Sequence, residues 1–231
     1  IVWAADNSAK VINMSFGGPS ECAGEKSAID YAWNKGAVLV ASAGNYADTT
    51  PIYPAAYSNV LGVAATNPDD TIASFSSYGS WINVAAPGRR LYTTYSNGAY
   101  SGFSGTSASA PVVSGIAGLI MSANPTLLNS QVKSIIEKSA DDLGAPGFDS
   151  YYGWGRVNAY KAILTAIGSV PPPPDTTAPT VSISYPSEGA TVSGSISINV
   201  SASDNVGVAK VELYLNGALY ATDTTEPFSF V

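Results

Sequence analysis

Residues 10–16 (Lys10-Val11-Ile12-Asn13-Met14-Ser15-Phe16) and residues 37–41 (Ala37-Val38-Leu39-Val40-Ala41) decide the fold. Both stretches are apolar, as strands of a parallel sheet that is covered on both faces must be. Residues 21–34 between them have helical character, and Gly36 supplies a C-terminal cap. Strand, helix and strand in this order predict a βαβ unit.

The alternation of strands and helices continues towards residue 168. Residues 59–65 predict a further buried strand, and helices are predicted at 107–123, 130–140 and 157–167, with Asn158 as the N-cap of the last. The fold class is therefore α/β, a mostly parallel sheet flanked by helices, over residues 1–168.

A second, all-β part follows a Pro-rich linker at residues 169–179, which contains four consecutive prolines at 171–174. Apolar and polar residues then alternate at 180–184, 195–202 and 209–215, and Asn216-Gly217 predicts a hairpin turn. Residues 180–231 thus predict a small sandwich of the immunoglobulin-like type. It is shorter than a complete sandwich of roughly 100 residues, so we expect one or more strands to be missing.

Composition excludes several classes of protein. The net charge is −7, so the basic footprint of a nucleic-acid-binding protein is absent. The apolar stretch 112–121 is interrupted by glycine and serine and is too short to span a bilayer. The single cysteine, Cys22, can form no disulfide within the chain. We expect it to be a small apolar filler, and the alternative is that it has lost a partner upstream.

The motif most relevant to chemistry is Gly105-Thr106-Ser107-Ala108-Ser109-Ala110-Pro111. A serine at this place is usually a helix N-cap. As a nucleophile, Ser107 would lie at the positive end of the helix dipole, with its own N–H free for an oxyanion. A serine hydroxyl needs a base, which is an imidazole in Ser/His/Asp sites, and the chain has no histidine. Either the chain is a piece of a longer enzyme, or it is not a hydrolase of this type as it stands.

Two further motifs end predicted strands. Ala41-Ser42-Ala43-Gly44-Asn45 lies at the carboxyl end of a strand, where α/β sheets bind ligands. It is either a turn or the source of an amide donor, Asn45, for an oxyanion. Ser15-Phe16-Gly17-Gly18 is either a turn or a segment that pairs with an extended peptide.

Taken together and in order, these motifs resemble the subtilisin family of serine proteases, and its thermitase-like members most. The resemblance runs from about residue 1 to 167. It rests on the stretches 11–18, 41–45, 75–79 (Phe-Ser-Ser-Tyr-Gly), 86–88 (Ala-Pro-Gly) and 105–111.

The resemblance implies a function for each motif. Ser107 would be the nucleophile that forms an acyl-enzyme, and the Asn45 side chain with the Ser107 N–H would form the oxyanion hole. Ser15-Phe16-Gly17 would pair with the polypeptide substrate and, with Ser42-Ala43-Gly44, wall the specificity pocket. The catalytic Asp and His are expected upstream of Ile1, so the N-terminal part of the peptidase unit would be missing and this chain alone would be inactive. A secreted, extracellular location is implied as well.

The family also binds calcium, and no cofactor is required for its chemistry. By resemblance, the carbonyls of Ala55, Tyr57 and Val60 could hold a calcium or sodium ion, since hard cations prefer oxygen ligands. Asn83 stands where a carboxylate is common. Calcium is expected as a structural ion in the full-length protein.

Residues 178–231 resemble the bacterial immunoglobulin-like domains of secreted enzymes, which act as spacers or contact polymers and cell surfaces. Two other functions stay open. One is a non-catalytic surface or peptide-binding protein on a peptidase scaffold. The other is a carbohydrate-binding tail, for which Tyr185, Tyr214 and Tyr220 are the candidate aromatic residues.

Overall fold

Four parallel strands form the central sheet of the first of two structural units, Ile1–Pro171 and Pro172–Val231. The strands β1 (Val11–Met14), β2 (Val38–Ser42), β3 (Val60–Thr66) and β4 (Val84–Pro87) lie in that spatial order. The helices are α1 (Val2–Asp6), α2 (Ala23–Asn34), α3 (Thr106–Ala123), α4 (Asn129–Lys138) and α5 (Ala159–Ala166). The structure, a computed structural model, describes residues 1–169, 177–204 and 207–231.

Helices cover both faces of this sheet. Val38 and Val40 of β2 pack in a core with Val113 and Ile120 of α3. Leu39 and Ala41, which point to the opposite face, pack with Ile29 and Ala32 of α2. All residues of β2 and β3 are buried, and this confirms the predicted α/β class.

Local sequence rules place the helix ends. The N–H of Gly36, at φ +87°, donates to Trp33 O at 2.9 Å, and Ala37 N–H donates to Ala32 O at 3.1 Å. These two bonds form a Schellman motif and confirm the glycine cap of α2. Asn158 is the N-cap of α5, because its side chain accepts from Lys161 N–H at 3.0 Å.

One expectation fails in this unit, and one element was not predicted. Cys22 is exposed and is therefore not a core filler. Its N–H and C=O instead bond the Tyr57 hydroxyl, at 3.2 and 3.1 Å. The sequence also did not predict the hairpin of β5 (Leu91–Thr94) and β6 (Tyr100–Phe103). Nearly all of its residues are exposed, so it lacks the buried apolar pattern by which the other strands were found.

The long helix α3 satisfies the length and hydropathy of a membrane span, with 18 residues and a mean hydropathy of 1.3. Its residues Ala110, Val113, Ile116, Ala117 and Ile120 are nevertheless buried in the core. That is the behaviour of a core helix. Among the described residues no other helix meets the same test.

The second unit is all-β, as predicted. The strands β7 (Thr180–Tyr185), β8 (Ile198–Ser203) and β11 (Ser229–Phe230) form one antiparallel sheet in the order β11-β8-β7. A hairpin pairs β9 (Val211–Leu215) with β10 (Ala218–Asp223). Its turn has Asn216 at φ 51° and Gly217 at φ 81°, as a type I′ turn requires. The buried core of the second unit consists of Val211, Phe228 and Phe230. Residues 170–176 of the predicted linker lie outside the described residues.

Asp141 is the centre of a network of charged and polar side chains in the first unit. This carboxylate accepts from Lys161 Nζ at 2.6 Å, Arg156 Nη2 at 2.8 Å and Asn158 Nδ2 at 3.0 Å. Arg156 also pairs with Asp70. Partial burial alone would raise the pKa of Asp141, but the hydrogen bonds from Lys161, Arg156 and Asn158 outweigh it and hold that pKa below its ordinary value.

We predict that Asp141 makes the fold sensitive to acid. Because its pKa is lowered on folding, its stabilisation is complete above the unfolded value of about 3.9 and is lost as the pH falls through the lower folded value. Asp141→Asn should reduce the free energy of unfolding by about 1 kcal/mol at pH 7 and flatten its decline between about pH 5 and pH 2. Urea unfolding across this pH range measures both effects. The exposed neighbour Asp142 is the control, and Asp142→Asn should keep the wild-type slope. Equal slopes for wild type and Asp141→Asn would contradict the assignment.

Candidate active site

The candidate site lies where α3 begins. Gly105 is the N-cap of this helix and Ser107 its second helical residue, so the N–H of Ser107 has no acceptor within the helix. The Ser107 side chain is partly buried, and its Oγ lies 3.4 Å from the carbonyl oxygen of Ser15. The helix therefore presents a hydroxyl and a free N–H together, at its positive end.

A proline within α3 leaves one helix carbonyl free to bond the residue that follows β1. Pro111 lies inside α3 and has no N–H to give to the carbonyl of Ser107, four residues earlier. That carbonyl instead accepts a hydrogen bond from Ser15 Oγ at 3.0 Å. The missing helical bond thus becomes a bond between the helix and the segment that contains Ser15.

The Asn45 side chain is fixed by Thr106. Its Oδ1 accepts from the N–H of Thr106 at 2.9 Å and from the Thr106 hydroxyl at 3.0 Å. The same hydroxyl accepts from Gly44 N–H at 3.1 Å, and Thr106 is fully buried. With Oδ1 held in this way, the Asn45 amide group remains as a donor next to Gly105, where an added Cβ would lie 3.5 Å from Nδ2.

Glycine is required where β2 turns towards Asn45. Gly44 has φ +100°, and a Cβ there would lie 2.9 Å from Ile52 Cγ1 and 3.2 Å from Ser77 Oγ. A larger residue would be strained in the backbone and would also push into Ile52. Gly44 therefore sets the path by which the chain leaves the strand.

A cavity of about 200 Å³ lies in front of Ser107. None of its lining residues is acidic or basic, so the cavity suits a neutral group. The lining residues are Ser15, Phe16, Gly17, Ser42, Gly44, Asn45, Tyr46, Ile52, Thr106 and Ser107.

The structure brings together all but one of the residues that were predicted to bind or transform a substrate. The exception is Ala43, which is fully buried and packs with Ala64, Ile82 and Ala85. Its side chain faces the core and does not line the cavity, because side chains alternate in direction at the end of a strand.

Three lining residues were not among the predictions. Thr106 is part of the quoted serine motif and Tyr46 follows Asn45 directly, so both were within reach of sequence reasoning. Ile52 has no local signature. It reaches the cavity because Gly18 and Tyr53 bond each other through both backbone groups at 2.9 Å.

This arrangement can stabilise negative charge. A carbonyl oxygen above Ser107 could accept from the Asn45 amide and from the Ser107 N–H, the geometry that favours a tetrahedral oxyanion. A base for the hydroxyl is a separate requirement, and the chain has no histidine.

Two of the three carbonyls expected to hold a cation already accept hydrogen bonds. Val60 O is 3.4 Å from Lys133 Nζ, and Tyr57 O accepts from Val60 N–H at 3.0 Å. A metal ion would have to share Val60 O with an ammonium group. The prediction of an ion at Ala55, Tyr57 and Val60 stays untested, and these contacts do not favour it.

Comparisons with known proteins show the families that the two parts of the chain resemble. The profile of the subtilase family matches residues 1–155, and that of the bacterial Ig domain matches residues 179–231. The chain is 48% identical over 163 residues to thermitase of Thermoactinomyces vulgaris, which covers 71% of this chain and 57% of that protein. It is 44% identical over 167 residues to subtilisin DY of Bacillus licheniformis, covering 70% and 60%. A thermophilic serine proteinase of Bacillus sp. (strain AK1) is 41% identical over 163 residues, covering 71% and 40%. The chain thus spans about half the length of the relatives it matches.

Two neighbouring glycines, Gly17 and Gly18, allow a test of how tightly the cavity wall is packed. A Cβ at Gly17 would lie 2.6 Å from both Ile52 Cγ2 and Tyr53 O, whereas a Cβ at Gly18 would meet nothing within 4 Å. We predict that Gly17→Ala lowers the free energy of unfolding by about 1–3 kcal/mol, the usual cost of overpacking, and that Gly18→Ala leaves it nearly unchanged. Urea unfolding of both variants measures the difference. Equal stability of the two variants would show that the contact of Gly17 with Ile52 and Tyr53 is not close.

Proposed function

Because this chain belongs to the subtilase family, we propose that it is the C-terminal part of a serine endopeptidase unit followed by a partial bacterial Ig-like domain. The observation that supports this most is the cavity at which the Asn45 amide, the Ser107 hydroxyl and the Ser107 N–H meet. In domain terms, we assign residues 1–168 to the peptidase unit, 169–179 to a linker and 180–231 to the Ig-like domain.

In the proposed reaction, an extended polypeptide pairs with the backbone of Ser15-Phe16-Gly17 and places one side chain in the cavity. Ser107 Oγ attacks the scissile carbonyl and forms the acyl-enzyme. The negative charge that develops on the carbonyl oxygen is stabilised by the Asn45 amide and the Ser107 N–H. Ser42 and Gly44 complete the wall of the pocket.

The proton of Ser107 must pass to a base. We propose a histidine held by an aspartate, both upstream of residue 1, as in Ser/His/Asp sites in general. The same histidine would return the proton to the leaving amine. Without it, this chain would not complete the reaction.

The wider setting of the protein follows from the same proposal. Secretion to the extracellular medium and calcium as a structural ion of the full-length protein are proposed from the family. For the Ig-like domain we propose a spacer or a contact with a polymer or a cell surface. The partners of the peptidase unit would be polypeptides, not nucleic acid.

A second function, a non-catalytic peptide binder on this scaffold, is favoured by one specific observation. The chain carries a place for a peptide and an oxyanion but no histidine. The two functions differ in what precedes residue 1 in the gene, and in whether Ser107 is needed for turnover.

The deciding experiment is to read the gene upstream of Ile1 and assay the full-length protein on casein. We expect Asp and His motifs there, and a fall in kcat of several orders of magnitude in Ser107→Ala, because the nucleophile is lost. Ser122→Ala, an exposed serine of the same helix, should keep wild-type activity. A gene without these motifs, or activity unchanged in Ser107→Ala, would favour the binding protein.

Thr106 provides a finer test. Thr106→Val removes the hydroxyl that holds Asn45 and Gly44 while keeping the shape of the side chain. We predict that kcat falls by about tenfold, the equivalent of one hydrogen bond to the oxyanion donor, with little change in KM.

Thr106→Ser keeps the hydroxyl and is the matched control, which should retain most of kcat. Thermal unfolding of both variants separates loss of rate from loss of fold. A rise in KM with unchanged kcat would mean that Thr106 acts in binding of the substrate and not in the transition state.

A further inference from the structure

We propose that the ammonium group of Lys133 is the resident cation of the carbonyl loop at residues 55–60, in the place where the family resemblance suggests a metal ion. The inference concerns the fold of the first unit and does not rest on the proposed proteolytic function. Lys133 lies on α4, and the loop ends at Val60, the first residue of β3.

The first step is the position of the ammonium group. Lys133 Nζ lies 2.9 Å from Glu137 Oε1 and 3.4 Å from Val60 O. Both side chains, Lys133 and Glu137, are only 18% exposed. The charge is thus held between a carboxylate and a backbone carbonyl and is largely shielded from solvent.

The second step is the close packing of backbone carbonyl oxygens in and beside the loop. Two carbonyl oxygens lie close to the backbone at Gly62. A Cβ at this residue would lie 3.1 Å from Ala55 O and 2.8 Å from Trp81 O. Tyr57 O turns back to Val60 N–H at 3.0 Å. Oriented carbonyl groups form a region of negative partial charge that a cation stabilises.

The third step is that Asn83 and one oxygen of Glu137 already make hydrogen bonds. Asn83 Oδ1 accepts from Gly62 N–H at 2.8 Å, and Asn83 Nδ2 donates to Glu137 Oε1 at 2.8 Å. Asn83 is neutral, so it supplies no carboxylate to a metal, and its oxygen already accepts from Gly62. It instead orients the carboxylate that holds Lys133.

The fourth step is the charge balance. Lys133 and Glu137 neutralise each other within this group, and Asn83 adds no charge. A metal ion at Val60 O would lie next to the ammonium group and be repelled by it, strongly so in a site screened from water. The loop is therefore satisfied by a side chain and has no need of an ion.

The test compares Lys133→Met with Lys138→Met in the full-length protein. Both substitutions remove one positive charge from α4, but Lys138 is exposed. The measurement is the Tm at rising CaCl₂ or NaCl, with choline chloride keeping the ionic strength constant. We expect Lys133→Met to lose about 3 °C or more and to recover it as calcium or sodium is added, because the freed carboxylate and carbonyls then bind the ion.

Wild type and Lys138→Met should show no such extra response to either cation. The same cation response in wild type and Lys133→Met would overturn the proposal, whether both bind an ion at this loop or neither does. A cation dependence acquired by Lys138→Met would overturn it as well, because the effect would then be one of net charge.

A measurement on the wild type keeps the test independent of the stability of the variant. A crystal soaked in RbCl and measured at the rubidium edge should show no anomalous peak at bonding distance from Val60 O. A peak there would overturn the proposal even if Lys133→Met does not fold.

Discussion

The buried hydroxyl of Thr106 is the contact on which the candidate site depends. It donates to Asn45 Oδ1 and accepts from Gly44 N–H, so it joins the end of β2 to the start of α3. A buried hydroxyl without partners would cost stability, and here both bonds are made to the loop that carries Asn45. The bonds that satisfy Thr106 are therefore the same bonds that aim the amide of Asn45. A change that weakens these bonds would therefore affect both the stability of the junction and the orientation of the Asn45 amide.

The parallel sheet explains why such a junction can form. β1 and β2 run side by side, with Met14 paired to Ala41, so both strands end at the same edge. The N-terminus of α3 packs against that edge, and Pro111 leaves the carbonyl of Ser107 free for Ser15. Ser15 and Ser107, which are 92 positions apart in the chain, are thereby joined by a hydrogen bond. The geometry is a consequence of topology, and little of it depends on flexible side chains.

The sequence predicted those elements whose burial leaves a local pattern. The apolar runs at 37–41 and 59–65 became β2 and β3, and the glycine cap and the Asn158 cap lie at helix ends as expected. The hairpin of β5 and β6 was missed because exposed strands leave no apolar run. Cys22 was wrongly expected in the core, since a single small residue has no periodicity to place it. Ile52 and Lys133 could not have been found either. Their contacts join segments far apart in the chain, 73 residues in the case of Lys133 and Val60.

The proposed reaction has two requirements, stabilisation of an oxyanion and transfer of a proton. Stabilisation of an oxyanion needs only fixed dipoles, and the bonds that fix them involve residues 44, 45 and 106 of this chain. Transfer of a proton needs a titrating base, and the chain has no histidine. A preorganised donor acts without rearrangement at the moment of reaction, so this half of the site can be complete before any base is in place. In the proposed reaction the order of the two parts matters, because removal of the Ser107 proton is productive only if the negative charge that develops on the carbonyl oxygen is already stabilised. The rigid part of the site therefore belongs on the sheet edge and the helix terminus, where this chain carries it.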